Sequence, residues 1–140
     1  MKLLLDTHTF IWWDSEPDRL PPLVREYCLD RANIVLLSVA SVWEIQIKRQ
    51  LGKLKLQMPL PEVVKGQQET NGLLILPITL AHVLELDSLP PHHKDPFDRL
   101  LIAQARAENA ILVSGVSIFV NYDVKLLWQT RPSLEGSNIT

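Results

Sequence analysis

The sequence predicts an α/β fold, a central parallel β-sheet of four to five strands flanked by helices on both faces. Three observations carry this. Short apolar runs alternate along the chain with longer segments of helical spacing. The runs have largely lost the apolar/polar alternation of a half-exposed strand, as strands covered on both faces do. The segments between most of them are long enough to hold a crossover helix.

Taken in order, Lys2–Leu5, Ile34–Leu37, Leu73–Ile78 and Ile111–Val113 read as strands, and Lys125–Trp128 as a weaker fifth. Helical spacing covers Thr9–Asp14, Pro22–Arg31, Val39–Leu51, Leu60–Thr70, Thr79–Ser88 and Pro96–Asn109. Pro90-Pro91 predicts a rigid loop ahead of the last of these. No internal repeat or linker divides the chain, so residues 1–130 are expected to form one domain. The polar stretch Arg131–Thr140 lacks periodicity and is expected to be a loose C-terminal tail.

With 140 residues, 46% of them hydrophobic and 21% charged, the chain can bury a core and is not disordered as a whole. Its formal net charge of −2 excludes binding through a general blanket of phosphate contacts. Any nucleic-acid contact must use a local basic patch, or the acidic groups must be gathered elsewhere around a metal; composition does not choose between these. Cys28 is the only cysteine, which excludes an intrachain disulfide and a cysteine zinc cluster, and suits a reducing cytoplasm. Asp6 interrupts the apolar start before a signal peptide could form. No run approaches the roughly 18 apolar residues of a spanning helix, so a cytoplasmic location without membrane contact is the expectation.

Three acids stand where packing alone would not place them. Asp6 follows Leu3-Leu4-Leu5 directly, at the carboxyl end of a strand, where open parallel sheets collect ligands; it also suits a helix cap. Glu44 shares a helical face with Ala40, Ile47 and Leu51, so its charge needs a metal or a cation, and Lys48 at i,i+4 is the plain alternative. Asp98 shares a face with Leu101, Ile102 and Ala105 in the first turn of a helix, where the macrodipole favours an anion. Asp95 before Pro96 reads as that helix's N-cap, with Asp98 at N3 as in a capping box.

Leu4-Leu5-Asp6-Thr7-His8, Ser38-Val39-Ala40-Ser41-Val42-Trp43-Glu44-Ile45 and His93-Lys94-Asp95-Pro96-Phe97-Asp98-Arg99-Leu100-Leu101-Ile102-Ala103-Gln104-Ala105 together resemble the three signature blocks of the VapC-like, PIN-domain toxins. The resemblance runs from Met1 to about Trp128. It implies a PIN-like fold, a Mg²⁺ or Mn²⁺ site, endonucleolytic cleavage of RNA, homodimerisation and inhibition by a cognate antitoxin. Residue by residue, it implies Asp6, Glu44 and Asp98 as catalytic, metal-holding acids, with Asp95 behind them. Such oxygen ligands suit a hard cation that retains several waters. Lys48, Arg49, Lys94 and Arg99 are the candidates for contact with RNA. His92 and His93 read as solvated loop residues, and the four tryptophans as core or interface groups rather than base-stacking platforms.

A fourth block departs from the pattern. Family members place Thr-x-Asp or Ser-x-Asp after the fourth strand; here Ser114 keeps the hydroxyl and Val116 takes the acid's place. Asp123, nearby, is a doubtful substitute. Weakened metal binding and cleavage are therefore expected. The competing readings are a catalytically impaired domain that binds protein or RNA, and a phosphoacceptor domain. The last needs an acceptor acid at the end of a middle strand, where Ser38 and Thr79 stand instead.

Overall fold

The structure, a computed structural model, describes residues 1–130 and Pro132. Its sheet has five parallel strands in the order β3-β2-β1-β4-β5. These are β1 (Lys2–Leu5), β2 (Ile34–Ser38), β3 (Leu74–Leu76), β4 (Ile111–Val113) and β5 (Leu126–Leu127). The helices are α1 (Thr7–Ser15), α2 (Pro22–Leu29), α3 (Val39–Gln50), α4 (Leu60–Asn71), α5 (Leu80–Glu85) and α6 (Pro96–Ala107). Single 3₁₀ turns at Pro17–Arg19, Leu86–Ser88 and Ser117–Asn121 complete the order; sequence periodicity does not anticipate the first and last, which are too short to show a repeat.

Strand alternation sorts the core onto two faces. Leu3, Leu5, Val35, Leu37, Ile111 and Val113 pack with Phe10, Trp13, Val24, Ile45 and Val63 on one side. Leu4, Leu36, Leu76 and Leu112 pack with Leu101, Ile102 and Ala105 of α6, and with Phe119 and Tyr122, on the other. Both faces are covered, which is why the strands read as unbroken apolar runs. Cys28 is a buried free thiol, and burial pushes it up to about 12.

Two boundaries differ from the periodicity for identifiable reasons. Helix α1 starts at Thr7, not Thr9, because Asp6 caps it by accepting from the Thr9 N–H at 2.7 Å, so the strand turns into the helix without a loop. Strand β3 ends at Leu76 because Pro77 has no N–H for the ladder. The expected C-terminal tail lies outside the described residues apart from Pro132, which is buried. Among the described residues no helix is long and apolar enough to cross a membrane.

The winding direction of the sheet reverses at β1. β1 pairs with β2 on one edge (Leu4↔Leu36) and with β4 on the other (Leu4↔Leu112). In such sheets a crevice opens at the carboxyl ends of the strands flanking the reversal. Here those ends carry Asp6 after β1 and Ser114-Gly115-Val116 after β4.

Candidate active site

Asp6 is 4% exposed at the head of this crevice. Its backbone N–H donates to the Val113 carbonyl at 3.1 Å, and the Thr9 hydroxyl donates to the same carbonyl at 3.1 Å. Burial pushes its carboxyl above the ordinary value of 3.8, against the bonds from Ser114 and Thr9 and the charge of His8. Ser114, buried in turn, accepts from the Val116 N–H at 3.0 Å. Capping and position at the strand end thus coexist in one residue.

Glu44 reaches the same end of the sheet from α3. The Thr7 hydroxyl donates to its Oε1 at 2.6 Å, linking it to the residue next to Asp6. Its Oε2 lies 3.1 Å from Lys48 Nζ. The i,i+4 pairing is therefore present, and Lys48, expected at RNA, is committed to Glu44. One turn before Glu44, the buried Ser41 hydroxyl has no hydrogen-bond partner among the described residues.

Asp98 is brought in by α6. Asp95 caps this helix as expected, its Oδ1 accepting from Phe97 N–H at 2.8 Å and Asp98 N–H at 3.1 Å. Asp98 itself turns not to the cap but to His93, whose Nε2 lies 2.8 Å from Oδ2. Burial raises its carboxyl above the ordinary value, His93 opposes that, and the charges of Asp95 and Glu44 push it up further.

The structure corrects one sequence reading here. His93 is not a solvated loop residue: its side chain is 25% exposed and its ring stands edge-on to Phe119 as well as against Asp98. Arg99, a candidate for RNA contact, is half-buried and engaged within the protein. Its guanidinium donates to the carbonyls of Pro90 (3.0 Å), His93 (3.2 Å) and Leu89 (3.4 Å) and to the Tyr122 hydroxyl (3.3 Å), clamping the loop that carries His93. Thr7, absent from the sequence-derived set, joins it as the bridge to Glu44; only its place beside Asp6 hinted at that. Arg49 and Lys94 are exposed.

Val116 is half-buried and lines a cavity of about 470 Å³ together with Asp6. Asp123 instead lines a separate hollow with Glu85, Arg106 and Lys125, so it cannot replace an acid at this position.

Among the described residues, no three His, Cys, Asp or Glu side chains stand close enough to form a ready-made cage for an ion. The donor chemistry nonetheless suits a hydrated hard cation. Every candidate ligand is an oxygen, Asp6 and Asp98 are raised by burial, and Asp98 feels the charge of Glu44, a repulsion that a cation relieves.

A five-stranded parallel sheet flanked by helices is the fold that the three sequence blocks imply, and the comparisons agree. The chain belongs to the PIN-domain family, which it matches over residues 3–124. Among characterised proteins it is similar to Ribonuclease VapC22 of Mycobacterium tuberculosis, at 28% identity over 104 residues, 74% of this chain and 78% of the relative. Its fold is similar to that of VapBC2 from Rickettsia felis bound to a DNA fragment from their promoter, with a TM-score of 0.66 and 19% identity over 86% of this chain and 92% of that one. VapBC-1 from nontypeable Haemophilus influenzae gives a TM-score of 0.62 and 15% identity over 94% and 100% of the two chains.

Proposed function

We propose that this protein is a metal-dependent endoribonuclease, the toxin of a toxin–antitoxin pair acting in the cytoplasm. The observation that carries the reading is Asp6: a buried, raised carboxyl at the reversal point of the sheet, one residue from the Thr7–Glu44 bridge. Mg²⁺ or Mn²⁺ would be held by Asp6, Glu44 and Asp98, with Asp95 behind. Bound there, the ion supplies an ionised water and stabilises charge on the phosphodiester oxygens. The protein's own part is positional. Thr9 and Ser114 fix the Asp6 carboxyl, Thr7 orients Glu44, and His93 holds Asp98.

Two partners follow from the same reading. An antitoxin is supported by the family and by the VapBC neighbours. A homodimer is supported by apolar side chains left in solvent on α5, Leu80 at 73% and Leu84 at 64% exposure.

The second reading, a catalytically impaired domain that binds protein or RNA, is favoured by a specific observation. Glu44 is neutralised by Lys48 and Val116 stands beside Asp6. Cleavage of RNA by purified protein with Mg²⁺ or Mn²⁺ separates the two. The nuclease reading expects cleavage that needs the ion and is lost in Asp6→Asn, which keeps the helix cap. Ion-independent cleavage, or equal cleavage by the variant, would sink it.

A further inference from the structure

We propose that the cavity lined by Trp12 and Trp128 is a subsite for one unpaired base of the RNA strand, held beside Asp6. The inference rests on the ribonuclease reading for the nature of the strand and on the geometry for the subsite itself. The cavity opens at the carboxyl ends of β1 and β4 and is lined by Asp6, His8, Trp12, Gly115, Val116 and Trp128, among others. Asp6 lines it and is also the central acid of the proposed function, so a nucleotide bound there lies beside that acid.

The two indoles pack against the core and against each other, with ring centres 6.3 Å apart and planes tilted by 45°. Both are only half-buried, so each keeps part of its surface towards the cavity, where a flat ring can stack against the pair rather than between its members. Trp12 is held from outside by the Arg19 guanidinium, 4.7 Å from its ring centre, and His8 stands 5.9 Å away. Trp128 rests on bare backbone. A Cβ on Gly115 would come within 2.6 Å of its Cε2, and Gly115 has no left-handed φ that would otherwise call for glycine. The missing side chain is thus space reserved for the indole. Val116 adds an apolar wall.

The lining also selects the part of a nucleotide that enters. It carries a carboxylate and neither lysine nor arginine, so a phosphate is disfavoured there and an uncharged π-face is not. Aromatic platforms accept any base by stacking, so the subsite is expected to tolerate all four bases. A base inside a duplex is already stacked and paired, so the occupant is single-stranded.

The test is equilibrium binding of a short fluorescein-labelled single-stranded RNA in EDTA, followed by anisotropy, for wild type, Trp128→Ala, Trp12→Ala and Gly115→Ala. Each substitution is expected to weaken binding roughly ten-fold or more, the usual effect of losing one base–aromatic stack. Replacing individual nucleotides by abasic ones should cost the wild type a similar factor at one position and leave Trp128→Ala indifferent there. Gly115→Ala keeps both tryptophans and displaces one, so it reads the subsite even if Trp128→Ala fails to fold. Equal affinities, or equal sensitivity to the abasic positions, overturn the subsite. So does a cavity whose substitutions weaken only the binding of a partner protein. A wild type that binds RNA in this base-dependent way but does not cut it with Mn²⁺ supports the subsite and defeats the nuclease reading.

Discussion

Val116 shares a cavity with Asp6, so its side chain sets how much negative charge surrounds that acid. Val116→Asp should give a metal-free protein that melts at lower temperature, because another carboxylate joins those already raised. It should also show a larger Mn²⁺-induced rise in melting temperature and RNA cleavage faster by about ten-fold, equivalent to ~1.4 kcal/mol in the barrier. Equal or higher activity in the wild type on the same RNA would show that three acids suffice. The neighbouring acids show what a linear reading can reach. Asp6 and Asp98 were legible because a charge at a strand end or on an apolar helical face has few explanations. Glu44 was legible with its alternative, and the alternative, Lys48, is present in the fold. Thr7 and His93 were not legible: the 37 residues separating Thr7 from Glu44 leave no trace of their bond in any local pattern. Arg99 looked like a surface cation because nothing local reveals the four acceptors around it.

At the scale of one element, α6 depends on two interactions at its start, and these can be separated. Asp95→Ala removes the cap and should cost about 1 kcal/mol, with or without metal. Asp98→Asn leaves the cap intact and should instead diminish the stabilisation given by Mn²⁺; thermal melts of both variants with and without the ion distinguish them. If Asp98→Asn leaves the metal-induced shift untouched, Asp98 is only a helix-start residue. The preceding loop depends on Arg99, whose charged hydrogen bonds hold Leu89, Pro90 and His93. Arg99→Ala should destabilise by about 2–3 kcal/mol, measured by urea unfolding. Every strand and every α-helix was legible from periodicity, and two of the misplaced ends trace to single side chains. The Asp6 cap draws α1 back to Thr7 and Pro77 cuts β3 short, effects that act on one turn and are averaged away in a periodic pattern.

For the whole molecule, the buried acids set a pH dependence of known sign. Asp6 and Asp98 are raised in the folded state, so the fold binds their protons more tightly than the unfolded chain does. Their contribution to stability is fully present below the ordinary value of 3.8 and is lost as pH rises through the folded values. Glu108, lowered first by its bond from His82, acts in the opposite sense: its contribution is present above the ordinary 4.5 and is lost as pH falls through the lowered value. In metal-free protein, Asp6→Asn should therefore melt above the wild type near neutral pH, and the difference should close as pH falls towards about 4. A difference that stays constant with pH would show that the carboxyl is not raised. The exposed Leu80 and Leu84, one turn apart on α5, predict that Leu84→Lys shifts the sedimentation of the protein from dimer to monomer; a wild type already monomeric at micromolar concentration would remove the dimer.

The order of the strands also governs when the site can exist. Among the five strands the middle one of the sheet is synthesised first, and one of its two neighbours, β4, is the fourth to be made. Thr9 and the Val113 carbonyl that anchors it are 104 residues apart. A growing polypeptide that has emerged only as far as α5 holds Asp6 and Glu44 but neither Asp98 nor the far wall of the crevice, and β1 has an unpaired edge. Non-local pairing of this kind is slow to form, and it is complete only once β4 and β5 have joined the sheet. A site built in this way cannot be assembled while the second half of the domain is still being made.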